Sequence, residues 1–213
     1  MTAIFHALDD LRPLPVAPGE SPFHVKGSVY KGHLDWVAQN CPGGVDGMNR
    51  AFRDARLAPY LTRRFLPSSF YDLFPVVSSA YVVSRLIGRP LGEFLRLRSR
   101  LQVETDLAGI YRVLLKLGSP EGLVSRYSAV QMQYFDFGPA SARLVGTRTI
   151  EVVRQDIPAL LFDWLVPVQE TYIDFIVAAA GGQKVTVATD APAIDGQVSG
   201  FPAVRLVSRV SWG

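Results

Sequence analysis

Three histidines, one cysteine and an adjacent pair of serines are the residues of this 213-residue chain best suited to metal or nucleophilic chemistry. Their spacing argues against most of it. His6, His24 and His33 sit near the N-terminus with no HExxH pattern among them, and pairing His33 with Cys41 gives too few ligands for a metal site. Ser68 and Ser69, in RFLPSSFYDLF, have no glycine-flanked elbow and no neighbouring base. With Asp72 three residues on, Ser69 has the form of a capping box in which Asp replaces the usual Glu, so the serines are expected to open a helix. Asp9 with Asp10, and Glu104 with Asp106, are too close in sequence to converge on one helical face. Neither a phosphate-cradling GxxxxGK[ST] loop nor a GxGxxG fingerprint occurs. The expectation is a protein that is not an enzyme, with no metal and no cofactor.

Composition narrows the class. Hydrophobic residues make up 48% of the chain and charged residues 19%, enough apolar material for a sizeable core. The net charge is +3, carried by 18 arginines and 4 lysines. Arginine suits carboxylate and phosphate partners. FLRLRSRLQ, with Arg96 and Arg100 one helical turn apart, is the nearest approach to a nucleic-acid patch, but nearby acids and the small net charge favour a solvated face. No nucleic acid is expected. A lone cysteine excludes an internal disulfide and fits a reducing cytoplasm. The opening MTAIFHALDDLRPLP carries acids where a signal peptide needs a basic start. IPALLFDWLVPV and YIDFIVAAAGG are interrupted by Asp and fall short of the roughly 20 apolar residues of a membrane span. A soluble, cytoplasmic protein with no transmembrane segment is the expectation.

The elements that must position these residues follow from periodicity. Residues 1–22, ending in the proline-rich RPLPVAPGESP, read as an N-terminal arm, and 23–213 as a single α+β domain. FHVKGSVY predicts a short strand, KGHLDWVAQN a helix stopped by CPGG, and residues 45–56 a second helix. A helix is predicted from Ser69 to Gly88, with Pro75 bending it. Another spans 91–117, and a further one runs from the GSP stop to about Tyr134. Beyond DFGPA, SARLVGTRTIEVVRQD, QKVTVATD and FPAVRLVSRVSW are β-branched and alternating, which predicts three strands. A helix over 158–180, kinked at Pro167, lies between the first two. The fold class is therefore α+β: an N-terminal helical region packed on a small C-terminal antiparallel sheet, with one helix inserted between its first and second strands.

Aromatic residues on these helices supply a candidate apolar pocket with polar handles: Trp36, Tyr71, Tyr81, Tyr111, Tyr134, Trp164 and Tyr172. This points to a sensor-like domain that binds a small apolar molecule or lipid. The alternative is a dimerisation or protein-interaction module, since Tyr, Trp and Arg dominate binding hot spots. A homodimer or protein partner is expected on either view.

KGSVYKGHLDWV, LPSSFYDLFPVV, ETDLAGIYRVLLKLGSPEGLVSRYSAVQMQYFDFG and the final strand–helix–strand–strand block resemble a domain of unknown function expanded in myxobacteria, over roughly 23–212. That family is similar in plan to the vinyl-reductase-like, transport-protein-particle and haem-nitric-oxide-binding domains. The resemblance implies helices on one side of an antiparallel sheet, small-molecule or lipid sensing, and dimeric assembly. Two departures bear on function. A haem-nitric-oxide-binding domain takes an axial histidine from a mid-chain helix and carries a Tyr-x-Ser-x-Arg motif, whereas this chain has no histidine after His33 and RYSAVQ lacks the motif. No haem is therefore expected. The cysteines that vinyl-reductase-like members carry near the final hairpin are missing from DGQVSGFPAVRLVSRVSW, so that function does not transfer.

Overall fold

The computed structural model describes Leu8, residues 12–108 and residues 119–213. The chain forms two compact units, one of Met1–Leu95 with Tyr134–Asp136 and the other of Arg96–Gln133 with Phe137–Gly213. The α+β class expected from the sequence is the one observed. No described helix is long and apolar enough to cross a membrane.

In the first unit, β1 (His24–Lys26) pairs antiparallel with β2 (Phe70–Asp72), and Phe135 bridges to Val25. Four helices accompany this ribbon: α1 (Gly27–Asn40), α2 (Gly44–Ala51), α3 (Leu57–Leu61) and α4 (Leu73–Leu86). Gly43 and Gly44, at φ 73° and 60°, make the turn from α1 into α2. Helix α4 buries eleven of its residues and so is enclosed nearly all round.

The serine stretch differs from its expectation. Phe70–Asp72 is held extended by pairing with β1, so α4 starts at Leu73 and Asp72, not Ser69, is its cap, with Oδ1 accepting from the Phe74 N–H at 2.9 Å. The serine turn instead caps α1 through its carbonyls: Gly27 N–H donates to Ser69 O at 2.7 Å and Ser28 N–H to Pro67 O at 3.2 Å. The late start also makes Pro75 a first-turn residue, where a missing N–H costs nothing.

Residues 12–22 form no regular element but are bonded to this unit. Leu14 N–H donates to Asp54 Oδ2 at 3.1 Å, and Arg56 Nη2 bonds both Leu14 O and Asp54 Oδ2. The Arg56 hydrogen bond is the largest influence on the Asp54 carboxyl, whose pKa is held down at about 2.

The second unit contains a five-stranded antiparallel sheet. Its strands are β3 (Ala140–Gly146), β4 (Thr149–Pro158), β5 (Thr186–Thr189), β6 (Ala193–Val198) and β7 (Phe201–Ser211). Strand β7 is central. It pairs with β4 on one edge and with β5 and β6 on the other, while β3 pairs only with β4. Val204, Leu206 and Val210 are buried and Arg205 and Arg209 exposed, the alternation read from the sequence. The run expected to be one strand over 141–156 is a hairpin, turning at Thr147 and Arg148, the latter at φ 55°. Strand β6 is an addition to the three expected, because AIDGQV is exposed at almost every position and carries no apolar alternation.

Helix α5 (Leu91–Ala108) contains the boundary between the units, and α6 (Tyr127–Gln131) is short, because a 3-10 turn at Pro120–Leu123 precedes it. The rest of the helix expected over 91–117 lies outside the described residues. Helix α7 (Phe162–Ala179) includes Pro167, as the sequence predicts, and the Thr171 hydroxyl donates to Pro167 O at 2.8 Å. It buries Trp164, Leu165, Ile173, Ile176 and Val177. Gln169 Nε2 donates to Ser208 Oγ on β7 at 3.0 Å, and Ser208 Oγ is 2.9 Å from Thr189 Oγ1 on β5.

Gly27 sits where a side chain has no room, since an added Cβ would lie 2.1 Å from Leu66 O and 2.7 Å from the Tyr71 ring. The Gly27→Ala variant should lose about 1–3 kcal/mol of stability in denaturant unfolding. A second expectation concerns acid. Because the folded Asp54 pKa is about 2, below its ordinary 3.8, its contribution is complete above the ordinary value and lost as pH falls towards the folded one. The denaturant midpoint of the native sequence should therefore drop more steeply over that window than that of Asp54→Asn.

Candidate functional site

The second unit contains a cavity of about 540 Å³ lined by Arg96, Leu97 and Arg100 of α5, by Glu170, Thr171 and Asp174 of α7, and by Val185 and Val187 at β5. This volume is within the usual range for small-ligand sites. Helical periodicity assembles the walls. Arg96 and Arg100 are one turn apart on α5, as are Glu170 and Asp174 on α7, so each pair faces one way. The two valines are on the strand segment whose alternate residues share a face.

The charges are arranged unequally. Arg96 Nη2 lies 2.9 Å from Glu170 Oε2, and this pair joins the two helices. The Arg100 guanidinium stands 5.7 Å from the centre of the Phe175 ring, a cation–π contact. Asp174 is half-buried. The cavity thus offers a cation at Arg100, a carboxylate at Asp174, a hydroxyl at Thr171 and an apolar wall of Leu97, Val185 and Val187.

The residues singled out from the sequence are distributed over both units. Trp36 is half-buried on α1, with its ring 5.3 Å from that of Phe94. Tyr71 lies on β2 and Tyr81 on α4, both half-buried, and Tyr134 is buried with its carbonyl accepting from Lys26 N–H. These four belong to the first unit. Trp164, buried, and Tyr172, half-buried, lie on α7 in the second. Tyr111 lies outside the described residues. None of the other six lines the cavity above. The signal that could have found the cavity is FLRLRSRLQ. Nearby acids and the small net charge make its arginines read as a solvated face, and Glu170, the acid that meets Arg96, is 74 positions away in sequence.

His33 is the interior imidazole among the described residues. Its Nε2 lies 2.9 Å from Ser79 Oγ and its ring 6.2 Å from that of Phe94. His24 is more exposed, with Nδ1 2.6 Å from Asp136 Oδ2. Cys41 is buried and its thiol pKa is raised by that burial, which disfavours the thiolate. No group of three or more potential metal ligands occurs among the described residues.

No protein-family model matches the sequence, and no curated protein matches it. Solved structures do match. An H-NOX domain used to probe haem distortion shares 15% identity, with 88% of this chain and 94% of that one aligned at a TM-score of 0.62. A mutant of the T. tengcongensis H-NOX domain shares 14% identity over 88% of this chain and 97% of its own, at a TM-score of 0.62. An oxygen-binding H-NOX domain related to soluble guanylate cyclases, in its oxygen complex, shares 14% identity over 87% of this chain and 92% of its own, at 0.58. The chain therefore has the H-NOX fold, as its resemblance to the haem-nitric-oxide-binding plan implied.

These neighbours correct one expectation. The exclusion of haem rested on the missing mid-chain histidine, yet the fold is one on which other proteins carry haem. Among the described residues, a histidine bond to iron would have to come from His33, displacing the Ser79 contact, or from His24.

Proposed function

We propose that this chain is a non-enzymatic, sensor-like domain that binds a small amphiphile in the cavity formed by α5, α7 and β5. The observation that carries this reading is the two-sided lining of the cavity. Leu97, Val185 and Val187 suit an apolar body, and Arg100, Thr171 and Asp174 suit a polar head. A wholly apolar molecule would desolvate those charges without replacing their water, so the ligand class is an amphiphile, lipid-like in character. The lining contains no histidine, cysteine or lysine to act as a strong base or nucleophile, which favours binding over catalysis. The H-NOX fold, which oxygen-binding domains share, supports a sensing role. Glu170, Thr171 and Asp174 follow Pro167 within the same helix, so an occupant would act on the part of α7 beyond its proline. A cytoplasmic location fits this role.

Native mass spectrometry of the purified protein, followed by denaturation, tests the proposal. The expected result is added mass that is lost on denaturation and is reduced at least about tenfold in occupancy in Arg100→Ala, whose charged contact is worth roughly the free energy of one decade. A clean unliganded mass in both proteins would count against a resident amphiphile. Visible absorption of the same sample, with haemin added, supplies the other decision: a Soret band that saturates at one equivalent would make haem the ligand and replace the amphiphile reading.

A second reading has its own observation. Strand β3 is an edge strand with Leu144 at 52% and Val145 at 43% exposure, a surface suited to pairing with a second copy. Light scattering would show a dimer that Leu144→Lys disperses.

A further inference from the structure

A second constellation lies in the first unit, and the ligand-binding cavity does not use it. The guanidinium carbon of Arg63 stands 4.3 Å from the centre of the Tyr60 ring, 4.9 Å from that of Tyr71 and 5.3 Å from that of Phe65. The rings are not parallel. Phe65 and Tyr71 meet at 79° and Tyr60 and Phe65 at 53°, so their faces surround one point from different directions. Three aromatic faces converging on a cation is the arrangement by which proteins recognise quaternary and methylated ammonium groups.

The walls are fixed and the occupant is not. Tyr30, fully buried, stacks on Phe65 at 4.1 Å, and its hydroxyl donates to the Asp72 carbonyl. The Tyr71 hydroxyl accepts from Leu66 N–H at 2.8 Å, and the Tyr71 ring packs against Gly27. Tyr60 and Phe65 are both buried. Arg63, by contrast, is exposed on the irregular segment between α3 and β2, and no carboxylate among the described residues pairs with it. Its long side chain can leave the recess for water without breaking a salt bridge. Burial pushes the Tyr60 phenol up, the nearby Arg63 charge opposes that rise and the Asp72 charge adds to it.

We propose that Tyr60, Phe65 and Tyr71 form an aromatic cage for an organic cation of the quaternary-ammonium class, closed in the free protein by Arg63 as an internal competitor. Arginine enters because it is tethered nearby. A trimethylammonium group would fill the same space with a bulkier, more weakly hydrated cation. The chemistry is shared by free choline-like solutes and by choline lipid headgroups.

The test uses the full chain, with choline as the probe and its neutral tert-butyl analogue as the control, followed by the aromatic proton resonances of the tyrosines. In Arg63→Ala, choline should shift the Tyr60 and Tyr71 resonances saturably, about tenfold more tightly than in the native sequence and about tenfold more tightly than the neutral analogue. Tyr60→Ala in the Arg63→Ala background should abolish the response. Should that variant fail to fold, Tyr71→Leu, at a half-buried position, gives the same information. Sedimentation with phosphatidylcholine vesicles, blocked by excess free choline, would identify a lipid headgroup as the source of the cation. Choline binding without sedimentation would identify a soluble one. A folded Arg63→Ala protein with no saturable shift, or one that binds choline and the neutral analogue equally, overturns the proposal.

Discussion

The first unit is organised around the buried carboxylate of Asp72. Its oxygens accept from the N–H groups of Gly19 at 2.7 Å, Ser21 at 3.3 Å and Phe74 at 2.9 Å. Its carbonyl accepts from the Tyr30 hydroxyl. One residue therefore ties together the incoming chain, the end of β2, the start of α4 and the inner face of α1. Burial raises the pKa of this carboxyl, and the three N–H donors pull against that rise. An unmet buried charge would be costly, so the fold can place Asp72 there only if all its donors arrive together. The aromatic cage depends on this arrangement, because Tyr71 precedes Asp72 on β2 and Tyr30, which stacks on Phe65, is anchored by it.

The second unit solves a similar problem with the opposite charge. Arg154 of β4 is fully buried, its Nε bonded to Gly138 O at 3.2 Å and its Nη2 to Phe137 O at 3.3 Å, and burial lowers its pKa to about 10. It remains a cation at neutral pH. Gly138, at φ 65°, allows the loop before β3 to pass this close, since an added Cβ would lie 2.3 Å from Ile157. Just beyond Arg154, the β4 register shifts and Asp156 takes φ 53°, so the strand bends as it leads into the 3-10 turn before α7. The placement of α7, and with it Glu170, Thr171 and Asp174, follows from that irregular end of β4.

What the sequence disclosed follows the range of the interactions involved. Apolar alternation along β7 and the proline-interrupted helix α7 are local patterns, and both are legible. The boundaries that moved are decided by partners distant in sequence. Phe70–Asp72 reads as a helix start until His24–Lys26 arrives to pair with it. Strand β6 has no apolar face to announce it and is held by β7 alone. The candidate cavity is the least legible feature, since Arg96 meets Glu170 only after the chain has folded back over many intervening residues. The exclusion of haem failed for a related reason: it treated a missing motif as decisive when the fold persists at about 14% identity.

Both proposed sites rely on arginine, but in different states. Arg96 is held by Glu170 and fixes the geometry of the cavity wall, and Arg100 rests on Phe175 at the cavity's edge. Arg63 is itself the guest in a recess of rings. A guanidinium is weakly hydrated and planar, so it can lie on aromatic faces at little desolvation cost and still depart. Lysine, a strongly hydrated point charge, would do neither as well. The preference for 18 arginines over 4 lysines, which composition alone leaves as a surface habit, therefore has a local use at Arg63, Arg96 and Arg100, where the cation meets a ring or a carboxylate.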